Sequence, residues 1–534
     1  MPCLERGESR TEIRSAWTKA PGPTHFLTLF ATCFLLFFPS CGGDSGSLTV
    51  DFANRGGQTA QLYAGIMGSV GNDFGSQNPN AYSLLGAAGF AHVRVNAQVP
   101  DVYSSPAPNW AFIDPLLAGI QQSGMKVLLI LTYTPTWLQP VPNRCLSIGS
   151  DPSHAPPADL SAYAAITAAY VKHMDSTFPG LVDAYEVWNE PDSEVWFCPA
   201  GSTPTGHIQS YIDIYSAIAP AMHLQAVADG VAIKIGGPAI ANGTNPENLR
   251  AWISSLVTNP NSAPYVDFIS YHHYAGAATQ AAVATWDTTT PSLLSLTTGN
   301  PGGYAASYLL ADALVRAGSQ PNPSATPIFI TEFNTFTNGQ GDCCANSPTY
   351  APIWNALVVS ELLNAVSKGG AKRAVSGLYY YAAAAPWSRQ CLVGQIDTAM
   401  DCAWNLGQPL QGYPQYHAFE LIFASEYLDL KDGGFIARSL QNGVGGMAAA
   451  AFYTASSDSV VLVNTSGTEL RQIPIRLYNV GLGPNRNISM FLLNGANTTI
   501  VRQTLSAPEE DGRYTLHLDV PPYSLVGLSV RRSQ

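Results

Sequence analysis

The chain of 534 residues is 46% hydrophobic and carries a formal net charge of -12 at pH 7. That length can bury more than one small domain's core, and the acidic balance speaks against nucleic acid, whose binding rests on Lys and Arg meeting phosphates. Only 12% of residues are charged while 10% are aromatic, a balance suited to neutral, polyhydroxylated ligands.

The first element is an apolar run from Phe26 to Phe38, preceded by Arg6, Arg10, Arg14 and Lys19. It is too short to span a bilayer as a helix and fits the core of a secretory signal peptide over residues 1–41. The exported chain is therefore expected at the cell envelope or outside the cell. A small residue before Cys41 and a loose Gly42-Gly43-Asp44-Ser45-Gly46 tether resemble a bacterial lipoprotein signal, with Cys41 as the lipidated N-terminus. Phe38 and Pro39 depart from that pattern, so free secretion stays open, and any membrane partner comes through the lipid anchor. Residues 42–56 then read as a tether and a first strand, Ser47–Ala53.

From about 57 to 430, short apolar strands alternate with helical stretches. The strands are expected at Leu62–Gly68, Ala91–Asn96, Lys126–Tyr133, Asp183–Glu190, Ile233–Gly237, Val266–His272, Pro327–Glu332 and Val375–Tyr381. Helix-like segments include Leu160–Met174, Tyr211–Ala228, Tyr304–Arg316 and Ile353–Ser367. Near-continuous apolar strands, each followed by a helix, predict an α/β fold of the TIM (β/α)8 barrel type. An open doubly wound sheet is the alternative, but no glycine-rich phosphate loop follows the first strand. After 430 the helical period stops. Alternating segments at Ala448–Tyr453, Val460–Asn464, Ile473–Leu477, Ile488–Leu493, Tyr514–Leu518 and Ser524–Val530 predict an antiparallel β-sandwich over 431–534, joined by Ser47–Ala53.

In a parallel barrel the reactive side chains stand at the C-terminal ends of strands. Two strands end in an acid: the fourth in Val187-Trp188-Asn189-Glu190-Pro191, the seventh in Ile330-Thr331-Glu332-Phe333. A pair of carboxyl groups about 5–5.5 Å apart, one protonated and one ionised, is what cleavage of a glycosidic bond with retention requires. These two segments resemble the paired signatures of clan A glycoside hydrolases. Within the clan, Glu186-Val187-Trp188-Asn189-Glu190-Pro191-Asp192 is most similar to family 39, the β-xylosidases, iduronidases and relatives. The resemblance covers the barrel and, more loosely, the sandwich.

The resemblance implies Glu190 as general acid/base and Glu332 as nucleophile, with Asn189 on the sugar 2-hydroxyl. Ser270-Tyr271-His272-His273-Tyr274 ends the sixth strand, where Tyr274 would bond the nucleophile and His272 would line the site. His273 reads as an outward position. Arg94 resembles the arginine beside the clan nucleophile, and a structural ion pair is compatible with the same residue. Trp387 resembles the tryptophan flooring the sugar site, and Trp137 is a second candidate platform. Asp192 and Glu194 read as loop acids outside the chemistry. The negative Glu332 is expected to raise the pKa of Glu190 and keep it protonated at rest. The expected partner is an oligo- or polysaccharide, and neither a metal nor an organic cofactor is needed. Three alternatives stay open: an endo-acting β-glycanase, a transglycosylase on the same intermediate, and a non-catalytic carbohydrate-binding protein.

Of nine cysteines, Cys145, Cys198, Cys343, Cys344, Cys391 and Cys402 lie beyond the leader. An even number in an exported chain reads as disulfides. All six are placed in loops on the catalytic face, so Cys145 should meet Cys198. The other four pair either as two bridges between the strand-seven and strand-eight loops, the favoured pattern, or as Cys391–Cys402 plus a vicinal bond.

Overall fold

The computed structural model describes residues 46–60, 62–68, 79–200, 203–274, 303–334, 350–369, 375–382, 392–394, 410–430, 434–442, 444–481, 487–495, 497–506, 509–510 and 513–532. After β1 (Ser47–Ala60), eight parallel strands follow one another around a closed barrel. They are β2 (Tyr63–Met67), β3 (Phe90–Asn96), β4 (Lys126–Leu131), β5 (Val182–Val187), β6 (Lys234–Ile240), β7 (Phe268–Tyr274), β8 (Ile328–Asn334) and β9 (Gly377–Tyr380). The ring closes where β9 pairs with β2.

The helices of the barrel are α1 (Pro79–Ala87), the one-turn α2 (Val99–Val102), α3 (Asp114–Gln122), the one-turn α4 (Arg144–Ser147), α5 (Leu160–Thr177), α6 (Pro204–Asp229), α7 (Pro246–Thr258), α8 (Tyr304–Arg316), α9 (Tyr350–Gly369) and α10 (Pro414–Phe423). Their starts follow from local chemistry. Asp159 accepts from the amides of Ser161 and Ala162 at the start of α5, and Asn245 caps α7 through Glu247 and Asn248.

Alternation along the strands sorts the barrel into two faces. Val93, Val95, Leu129, Tyr185 and Val187 point outward under the helices. Leu128, Ala184, Phe268, Phe329, Tyr379 and Tyr63 fill an interior layer. Small residues make room for the rings: a Cβ on Gly236 would stand 2.5 Å from Cγ of Phe268. Above this apolar layer, toward the C-terminal ends of the strands, the interior turns polar.

A small ladder, β10 (Val393–Gly394) with β11 (Gln411–Gly412), precedes the C-terminal strands. These are β12 (Gly434–Asn442), β13 (Met447–Tyr453), β14 (Ser457–Asn464), β15 (Leu470–Tyr478), β16 (Asn487–Asn494), β17 (Asn497–Ser506), β18 (Glu509–Glu510), β19 (Arg513–Val520) and β20 (Ser524–Arg531). The sheet runs β17-β16-β20-β14-β13-β12-β1-β15-β19-β18. The predicted early strand thus sits inside it, antiparallel to β12 and parallel to β15. The sheet folds over on itself: Leu48, Val50, Ala449, Leu462 and Leu528 share one core with Ile475, Leu477, Leu516 and Leu518. The opposite face of β13 and β14, through Ala448, Ala450, Phe452, Val461 and Val463, joins the core of the barrel. Barrel and sandwich lie within one compact unit, residues 44–534.

Candidate active site

β5 ends at Val187, and the next residues leave the strand direction sharply. Trp188 and Glu190 both have positive φ, 65° and 48°. Side chains other than glycine avoid this region unless their surroundings hold them there. Here the Trp188 indole packs against Tyr133 and Phe197 and donates its N–H to the Trp196 carbonyl at 2.9 Å. The amide of Glu190 donates to the Ala239 carbonyl of β6 at 3.0 Å. The turn brings the Glu190 carboxyl over the barrel mouth.

Glu332 arrives differently. Phe329 faces inward, so strict alternation would send Glu332 outward. The pairing of β7 with β8 shifts register between Tyr271 and His272, whose partners are Ile330 and Glu332. This irregularity re-aims the side chains: Glu332 turns inward and Phe333 joins the outer core.

Arg94 from β3, fully buried, binds the site together. Its Nη1 donates to Glu332 Oε1 at 2.6 Å, its Nη2 to Asn189 Oδ1 at 2.9 Å, and its Nε to Glu186 Oε2 at 2.6 Å. Arg94 is thus both a member of a buried ion pair and a neighbour of Glu332. The Tyr274 hydroxyl donates to the other Glu332 oxygen, Oε2, at 2.6 Å. His272 Nδ1 lies 2.8 Å from Glu190 Oε1 and 3.5 Å from Glu332 Oε2. Its Nε2 is buried with no hydrogen-bond partner among the described residues. A buried lone pair costs less unpaired than a buried N–H, so we assign the ring proton to Nδ1, donating to Glu190. His273 points away from the barrel, stacked on Tyr304 of α8 and bonded to the Ser307 hydroxyl.

The electrostatics separate the two glutamates. Burial pushes the Glu190 carboxyl up from 4.5 to about 8, the charge of Asp192 adds to this, and Arg94 pulls the other way. The sequence points to Glu332 as the source of that rise, whereas burial comes first and Asp192 supplies the charge. Asp192 itself accepts from the Ala241 and Asn242 amides and from the Asn248 side chain. Although it reads as a loop acid, it ties the β5 and β6 loops together and bears on the acid. Glu194 pairs with Arg144 at the surface. Burial lowers the pKa of His272, despite the raising influence of Glu332, and keeps the ring neutral.

A cavity of about 340 Å³ opens between the glutamates, lined by Met67, Asn96, Ile130, Tyr133, Asn189, Glu190, Trp196, Ala241, Tyr274, Glu332 and Tyr381. His272 and Arg94 stand behind this lining. Tyr133, Trp196 and Tyr381 are aromatic walls that motif reading missed. Trp137 is not among the lining residues; its indole donates to the Tyr103 carbonyl instead. Trp387 and Cys41 lie outside the described residues. Oxygens of Glu190 and Glu332 and a ring nitrogen of His272 fall within 4.8 Å of one another, a spacing that three ligands of a cation also have. Hydrogen bonds from His272, Tyr274 and Arg94 already use these carboxylates.

Cys145 and Cys198 are bonded, as the loop positions predict, with Cα atoms 5.4 Å apart. Cys145 stands in the one-turn α4 rather than in irregular loop. Cys343, Cys344, Cys391 and Cys402 lie outside the described residues.

The chain has counterparts among known proteins. Residues 182–372, from β5 past the end of α9, match glycosyl hydrolases family 39. A monomeric β-xylosidase from Caulobacter crescentus CB15 is 16% identical, with a TM-score of 0.60 over 91% of this chain and 99% of its own. A family 39 enzyme from Xanthomonas axonopodis pv. citri is 15% identical, with a TM-score of 0.60 over 91% of this chain and 97% of its own. A family 30 subfamily 8 xylanase from Clostridium acetobutylicum is 14% identical, with a TM-score of 0.57 over 91% of this chain and 100% of its own. At these identities the likeness to solved structures is one of fold. No curated protein sequence matches the chain.

Proposed function

We propose that this glycosidase, whose residues 182–372 match family 39, hydrolyses β-glycosides with retention of configuration, acting on xylosides or related sugars from the chain end. The observation that carries the reading is the closeness of the two carboxyls, with oxygens within 4.8 Å. Double displacement uses a separation of about 5–5.5 Å, whereas inverting enzymes leave about 6.5–9.5 Å for a water. The cavity of about 340 Å³ is at the small end of ligand pockets, roughly 300–1,000 Å³, which favours one terminal sugar over a long chain.

In the first step a Glu332 oxygen attacks the anomeric carbon while the bond to the leaving oxygen breaks. Glu190, protonated up to about pH 8, transfers its proton to that oxygen. The result is a glycosyl ester on Glu332 and a free alcohol. In the second step Glu190, now ionised, takes a proton from water, whose oxygen attacks the same carbon and releases Glu332. Arg94 and Tyr274 hold one Glu332 oxygen each, so the nucleophile cannot rotate away between steps. Asn189, itself held by Arg94, is placed to bond the sugar 2-hydroxyl, a contact that strengthens in the transition state.

The test is NMR of the first-formed sugar from an aryl β-xyloside. Release of the β-anomer supports retention, and release of the α-anomer defeats it. Glu332→Ala should abolish turnover, while Glu190→Ala should keep some rate on activated aryl glycosides that added azide raises. The same assay without an added acceptor separates hydrolysis from transglycosylation.

A further inference from the structure

We propose that Glu186 is a positioning residue for the nucleophile: it offsets the charge of Arg94, so that the charge of Glu332 is left uncompensated and aimed at the sugar. The inference deepens the retaining reading and rests on it. Glu186 is wholly buried and does not line the cavity. Its Oε2 lies 2.6 Å from both Nε and Nη2 of Arg94, while its Oε1 has no hydrogen-bond partner among the described residues. Burying a second carboxylate on one guanidinium is expensive, which calls for a compensating role.

The geometry supplies one. A guanidinium is a planar fork, and anchoring its Nε fixes the rotation of the plane. Nη1 then points at Glu332 and Nη2 at Asn189, so one anchor sets both groups that meet the sugar. Charge gives a second reason. Arg94 faces two carboxylates, Glu186 and Glu332, which leaves one negative charge at the barrel mouth. Around them stand Met67 from β2, Tyr133 after β4, Tyr211 from α6, His272 and Tyr274 from β7, Tyr379 from β9 and Asp192 after β5. The four phenols are held protonated and His272 neutral by burial, so among the described residues Asp192, which bears on Glu190 and His272, is the remaining charge around them. Without Glu186, Arg94 would pair with Glu332 alone. That would blunt the nucleophile and draw the proton from Glu190, on which Arg94 acts downward.

Two variants separate charge from geometry. Glu186→Gln keeps the shape and an acceptor but loses the charge; Glu186→Asp keeps the charge but shortens the reach. Each is assayed for its kcat/KM pH profile, for thermal unfolding, and for covalent labelling by a dinitrophenyl 2-deoxy-2-fluoro-β-xyloside. Folded Glu186→Gln should show its alkaline limb moved to lower pH by about one unit and labelling slowed about 10-fold or more. Glu186→Asp should keep the wild-type limbs and label slowly. Folded Glu186→Gln with wild-type limbs and labelling overturns the inference. Should Glu186→Gln not fold, Glu186→Asp decides, and wild-type labelling or a displaced alkaline limb overturns it. Wild-type protein that is not labelled on Glu332 defeats the retaining reading and this inference with it, whereas labelled wild type with indifferent variants defeats this inference alone.

Discussion

A carboxyl group kept protonated in a folded protein costs stability, and at Glu190 the sign can be worked out. Its pKa rises from 4.5 to about 8 on folding. Below the lower value both states are protonated and nothing is lost. Between the two, the unfolded chain ionises while the native one does not, so stability falls as pH rises, and the loss is complete by about pH 8. Glu190→Gln removes this term while keeping shape and polarity. The variant should therefore match wild type in thermal unfolding near pH 4 and exceed it by about 2–4 kcal/mol near pH 8, at the expense of activity. Equal unfolding at both pH values would mean that burial does not hold the proton. At this scale the sequence shows the chemistry and hides the walls. Glu190 and Glu332 are legible because each follows the apolar run of a strand, one three residues past β5 and the other near the end of β8, and the C-terminal ends of strands are where a barrel presents reactive groups. Tyr133, Trp196 and Tyr381 stand beyond regular strand geometry, where no alternation tells which ring turns inward. The role of Asp192 depends on the β6 loop, which local sequence does not bring near.

Element boundaries were legible where one face or two faces were uniformly apolar. The eight barrel strands fall within a few residues of their expected places, and Tyr304–Arg316 is a helix over the predicted span. The start of α7 is set by local chemistry: Asn245 caps the helix and Pro246 stands in its first turn. β12 and β17 are less legible than their neighbours, since Arg438, Gln441, Arg502 and Gln503 interrupt their apolar alternation. The loops after β4 and β5 carry the walls of the site, and the Cys145–Cys198 bond joins them across 53 residues of sequence. Trp196 lies on that second loop, two residues from Cys198. We expect the Cys145→Ser, Cys198→Ser double variant to lose about 2–4 kcal/mol of stability. Its kcat/KM should drop at temperatures where circular dichroism still reports a folded barrel, because the wall loosens before the barrel opens. An activity curve that tracks unfolding point for point would remove the wall from the account.

At the scale of the whole molecule, the C-terminal sheet completes the surface of the barrel and is more than an appended module. β13 is buried on both faces, which is why Met447–Tyr453 reads as a nearly unbroken apolar run rather than an alternation. Ala449 and Ala451 face the sandwich core, while Ala448, Ala450 and Phe452 face the barrel. Asn364 of α9 donates to the Ala449 carbonyl at 2.8 Å, and Ser456 and Ser459 bond to Asp429 and the Leu428 carbonyl just after α10. Removing the sheet would expose the outer faces of α9 and α10, where Leu362, Leu363 and Leu421 are buried. A fragment ending at residue 430 should thus aggregate rather than fold, and its exposed apolar surface should bind a hydrophobic dye. A milder change in the full chain tests the same contact. Phe452→Ala should destabilise by about 3–5 kcal/mol, since the ring is wholly buried and its loss leaves a cavity between two layers. If the layers depend on each other, barrel and sandwich will still melt together in that variant, in one transition at lower temperature. Two separated transitions, with catalytic activity following only the upper one, would show that the barrel stands without the sheet.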